Sequence, residues 1–148
     1  MLKETPKASG ELKIVLRDEN GNIKDERQVK NLIVTTGVNY IADRMADAAE
    51  SAMSHMAVGS GTTAAAAGDT ALETQEAIVS LASTTQTNED VVYVATFGAG
   101  TGTAALTEAG IFNAASSGTM LCRTVFSAVN KGANDSLEIT WTVTISAS

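Results

Sequence analysis

The chain has 148 residues and a mass of 15.2 kDa, enough for one domain with a sizeable core and too little for two of ordinary size. Its net charge of −7, from 17 acidic and 10 basic side chains, excludes a free-standing nucleic-acid binder, whose phosphate contacts need the opposite balance. Aromatics are only 4% of residues, so the core must be built from Ala, Val, Ile, Leu and Met. Such a core buries less area per residue, and association with partners is expected to supply part of the stability.

Residues 1–10 are polar, contain the single proline, Pro6, and read as a flexible arm ahead of one domain over 11–148. Leu12, Ile14 and Leu16 then alternate with Lys13, Val15 and Arg17, a first strand. Asp18-Glu19-Asn20-Gly21-Asn22 carries the Asn-Gly of a tight hairpin, and the return strand from Ile23 to Lys30 is mostly charged, as exposed strands often are. Residues 1–31 hold seven basic and six acidic side chains, whereas 32–148 hold three (Arg44, Arg123, Lys131) and eleven. The sparsely charged remainder suits a protein whose faces are covered in an assembly.

Val38, Ile41 and Met45 fall at helical spacing, which predicts one helix over about residues 37–48 with Thr36 as N-cap and Asp43, Arg44 and Asp47 on the opposite face. Met53 to Val58 reads as a short strand. The Gly- and Ala-rich stretch Gly59–Thr70 reads as a long ordered loop, because four alanines between glycines are too few to hold a helix. Further strands are expected at Ala77–Thr84, Val91–Phe97 and Glu108–Asn113, with turns at Gly98–Gly102 and Ser116–Gly118. Thr119–Val129 and Leu137–Ile145 complete the pattern, and Asn130–Asp135 has the composition of a hairpin connection between them. In the last strand Leu137, Ile139, Trp141, Val143 and Ile145 alternate with polar residues, four of them Thr or Ser. The expected fold is therefore mainly β: an antiparallel β-sandwich, jelly-roll-like, of about eight strands with one helix.

Residues able to do chemistry are few. Gly59-Ser60-Gly61 and Gly100-Thr101-Gly102 both fit a relaxed dinucleotide pattern, and two hits in a Gly/Ala/Thr-rich chain reflect composition. His55 is the single histidine and Cys122 the single cysteine, so no disulfide and no His/Cys metal set is expected. Cys122 reads as a small buried residue and His55 as a hydrogen-bonded rim residue. Trp141 alternates with core positions and reads as a core or interface anchor. No enzyme and no cofactor is expected. Met1 and Leu2 lead straight into polar residues, without an apolar leader or a stretch long enough to cross a membrane, which predicts a soluble chain made in a reducing compartment.

Two stretches carry a resemblance. One runs from Met53 through Met56-Ala57-Val58-Gly59-Ser60-Gly61-Thr62-Thr63 to Leu72. The other runs from Ala105-Leu106-Thr107-Glu108-Ala109-Gly110-Ile111-Phe112 through Thr119–Ser127 to Trp141–Ile145. Together they resemble small virion proteins of tailed bacteriophages, of the capsid decoration (cement) type, and related segments occur in phage tail and fibre proteins. The resemblance implies a structural protein, made in the host cytoplasm, that sits on the capsid exterior. Its implied partners are the major capsid protein and a second copy of itself, as a homodimer, with no nucleic acid and no membrane. A tail or fibre-base adaptor is the alternative. The charged N-terminal region matches least, and a partner-specific contact is expected there, at Lys3, Lys7, Lys13, Arg17 and Arg27, with Trp141 as a further interface residue.

Overall fold

The computed structural model describes residues 7–147. Strand β1 (Lys7–Arg17) and strand β2 (Ile23–Ile33) form the predicted hairpin, in register from Gly10 opposite Asn31 to Leu16 opposite Asp25. Its turn is fixed by the Asp18 carboxylate, which accepts from the N–H groups of Asn20 and Asn22, and by Gly21 at φ 84°. Of the arm expected over 1–10, residues 1–6, Lys3 among them, lie outside the described residues. Lys7–Gly10 instead belong to β1, paired with the last strand from Ser146 to Val143.

Helix α1 (Thr35–Ala46) follows directly. Thr36 is not its N-cap. That position is Val34, and the Thr36 hydroxyl donates to the Met120 carbonyl 2.8 Å away. The packed face also differs from the predicted stripe. Gly37 and Tyr40 are buried, while Val38 is exposed and Met45 is 84% exposed. Gly37 decides this: a Cβ there would collide with the carbonyl of Leu121, so the helix backbone lies against another strand's backbone.

Strand β3 (His55–Gly59) leads into the predicted ordered loop, and then β4 (Gln75–Ser80) and β5 (Ser83–Thr87) replace the single strand expected over 77–84. Strands β6 (Asp90–Phe97), β7 (Ala104–Phe112), β8 (Met120–Lys131) and β9 (Ser136–Ser146) complete nine among the described residues, one more than predicted. All pairs are antiparallel, in the order β4-β3-β7-β8-β2-β1-β9-β6-β5, a curled half-barrel sheet. This order establishes neither a sandwich nor a jelly roll.

The expected closing hairpin is not a hairpin. β8 pairs with β7 and β2, β9 pairs with β1 and β6, and the whole β1–β2 hairpin lies between them. Of the turn-like residues at 130–135, Asn130 and Lys131 end β8, and only residues 132–135 connect it to β9 across that hairpin. β4 and β5 lie at opposite ends of the strand order, yet only Leu81 and Ala82 separate them. The sheet must curl until its ends approach at that step. The Leu81 N–H donates to Ser54, just before β3, and the next N–H, of Ala82, donates to Val94 on β6.

Inside the curl, Leu12, Ile14 and Leu16 of β1 lie opposite Trp141, Ile139 and Leu137 of β9, which in turn face Tyr93, Ala95 and Phe97 of β6. All nine are buried. Each large apolar side chain so placed contributes about 1.5–3 kcal/mol relative to exposure. The Thr face of β9 points the other way and is half-buried.

Candidate interaction surface

Three regions of the molecule carry polar or apolar groups beyond ordinary packing. The first is a buried ion pair. Glu108 on β7 is fully buried, and Arg123 on β8 is 2% exposed. The Arg123 Nε and one terminal nitrogen donate to Glu108 Oε1 at 3.1 and 3.0 Å, while the other terminal nitrogen donates to Asp69 at 2.9 Å. Glu108 also accepts from the backbone N–H groups of Gly61, Glu73 and Thr74 at 2.7–2.9 Å. This many donors satisfy both oxygens of the buried carboxylate.

This geometry assigns the glycine cluster a structural task. A Cβ on Gly59 or Gly61 would run into the Glu108 carboxylate, so the loop approaches it only as glycine. Glu73 closes the loop on itself, accepting from the Thr62 and Thr63 N–H groups and the Thr63 hydroxyl. These bonds lower its pKa below the ordinary 4.5, the Thr63 hydroxyl having the largest effect. The loop after β3 and the strands β7 and β8 thus meet at one carboxylate. Sequence reading missed this centre. Its signals were an acid at 108 amid apolar residues and a basic residue at 123 in a segment with only two others.

The second region is the charged hairpin, where the expected contact residues take different roles. Lys7, Lys13 and Arg17 are exposed, Lys13 lying 3.2 Å from Glu26. Arg27 instead staples the sheet where β2 and β8 diverge. It is held by both Asp25 oxygens at 2.9 and 3.0 Å and donates to the Ser127 and Ala128 carbonyls. Trp141 is fully buried and its Nε1 donates to Asn31 Oδ1 at 2.9 Å, so it anchors the core and offers no contact surface. Lys3 lies outside the described residues.

The third region is an apolar groove of about 530 Å³ at the mouth of the curl. Ile41 and Met45 of α1 form one wall, and Val91, Tyr93, Val143 and Ile145 of β6 and β9 form the other, with Gln86 of β5 at the rim. The helix is set in place by Gly37 and Thr36 against β8, and its far end is tied by Asp43. That carboxylate accepts from the Ala49 and Glu50 N–H groups, beside Asp47 at φ 50°. Burial pushes the Tyr40 and Tyr93 phenols up, so both stay protonated at physiological pH. Among the described residues Met45 is the most exposed of the large apolar side chains, and an exposed apolar patch rimmed by polar residues marks an interaction site.

His55 and Cys122 stand where the sequence placed them. The His55 ring lies 2.8 Å from the Ser54 hydroxyl, and Cys122 is fully buried, with its thiol pKa pushed up by burial. Among the described residues no helix is long and apolar enough to cross a membrane. Comparison with family models, curated proteins and solved structures gives no match.

Proposed function

We propose that this chain is a structural protein of a tailed-phage virion that binds the outer capsid surface and ties neighbouring major capsid protein subunits together. The observation that carries the reading is the apolar groove beside α1, with Met45, 84% exposed, in one of its walls. Such a patch gains its energy by being covered. The resemblance of residues 53–72, 105–114, 119–127 and 141–145 to decoration proteins is the reason for proposing the shell as partner, and the Glu108–Arg123 pair joins the first three of these stretches to one another. A sandwich-type decoration fold remains part of this proposal. The alternative, a tail or fibre-base adaptor, rests on the likeness of Leu106–Gly110 to tail and fibre segments.

Stoichiometry tests both. On a quantified gel of purified virions from the phage that encodes the chain, a decoration protein appears in copy numbers comparable to the major capsid protein. A far smaller copy number selects the adaptor, and absence from the particle overturns both.

A further inference from the structure

The two ends of the strand order are not equivalent. β4 carries Glu76, and its side chain accepts from the Ser60 hydroxyl, so that end is tied to the 59–74 loop. β5 is Ser83-Thr84-Thr85-Gln86-Thr87, with all five residues exposed. Among the described residues it pairs with β6 alone. Exposed edge strands are normally protected by charge, proline, a bulge or a cover, because their unpaired N–H and C=O groups recruit other strands. β5 has no charged residue and no proline, and its register with β6 runs without a bulge from Ser83–Val94 to Thr87–Asp90. No charged side chain occurs between Glu76 and Glu89.

We infer that β5 is a self-association edge, pairing antiparallel with β5 of a second copy about a two-fold axis at its middle residue, Thr85. Charge favours a second copy at this place. Two chains of net charge −7 repel over much of their surfaces, whereas this edge brings no like charges opposite one another. Antiparallel pairing about a two-fold is also isologous and closes at two copies, which removes the edge hazard without starting a fibre. Thr84 and Gln86 share the face of Tyr93 and Val91, and Thr85 shares the face of Val92. The joined sheet therefore keeps both apolar grooves on one side, flanking the new strand pair. This inference holds whether or not the capsid is the partner.

The test uses the purified full chain in sedimentation equilibrium over a concentration series reaching the millimolar range. The wild type is expected to move to twice the monomer mass of 15.2 kDa. Thr85→Glu and Thr85→Lys each place two like charges opposite one another at the axis and are expected to stay monomeric. An equimolar mixture of the two is expected to recover the doubled mass, which a folding defect cannot do. A wild type that stays monomeric throughout overturns the inference. So do single variants that still double in mass, or a mixture that does not. Shell binding is measured separately, so failure of one reading leaves the other standing.

Discussion

Glu108 shows how a single side chain organises a loop of this molecule. Its two oxygens accept five hydrogen bonds, from three backbone N–H groups and two Arg123 nitrogens. Removing it leaves a guanidinium buried beside unpaired amides. Glu108→Ala is expected to cost about 3–5 kcal/mol, the range for breaking a buried pair by deleting one partner, measured by urea unfolding. Asp135 supplies a pH dependence. Its pKa is held below the ordinary 3.8, first by the Lys24 ammonium 2.8 Å away and then by the Gly132 N–H. The Glu73 pKa is depressed in the same direction. A depressed folded pKa means that the unfolded chain binds more protons in that window, so stability rises with pH there. The contribution is complete above the unfolded values and is lost as pH falls through the folded ones. Asp135→Asn should therefore flatten the acid limb of a melting-temperature profile below about pH 4, the unfolded carboxylate range, and a limb as steep as the wild type's would contradict the assignment.

At the scale of elements, α1 and the final strands show what the sequence carries and what it leaves open. Apolar alternation located β1, β6 and β9 because each buries one face, and that periodicity is local. The faces of α1 were harder to read. Val38 and Met45 fit the apolar stripe but are exposed, and the contact that orients the helix is made by Gly37, which has no side chain to show in a pattern. Strand pairing is less local still. Asn130–Asp135 has hairpin residues, yet the β1–β2 hairpin takes the place between β8 and β9. The partners Glu108 and Arg123 are 15 residues apart on adjacent strands, and a sequence without register does not bring them together. Two substitutions test this layer. Gly37→Ala should press on the Leu121 carbonyl and destabilise by about 1–3 kcal/mol, seen as a lower thermal midpoint. Met45→Gln touches an exposed position and should leave stability within about 0.5 kcal/mol, while weakening attachment to shells.

Considered as a whole, the molecule is a rigid curled sheet whose ends meet at Leu81–Ala82. Its polar loop is locked by one buried ion pair, and an apolar groove lies beside α1. The charged hairpin stands between β8 and β9, where Arg27 and Asn31 serve the framework and Lys7, Lys13 and Arg17 are exposed. A truncation that tests an N-terminal contact should stop at Pro6, since Lys7–Gly10 pair with β9. Attachment to the capsid exterior is the proposed role. Its most direct measurement adds the purified chain to expanded shells that lack it, follows co-sedimentation, and images the particles by electron cryomicroscopy. Saturable binding is expected, weakened by Met45→Gln, with density on the outer surface where capsid subunits meet. Shells that stay bare at saturating protein, or density confined to the tail, would contradict it.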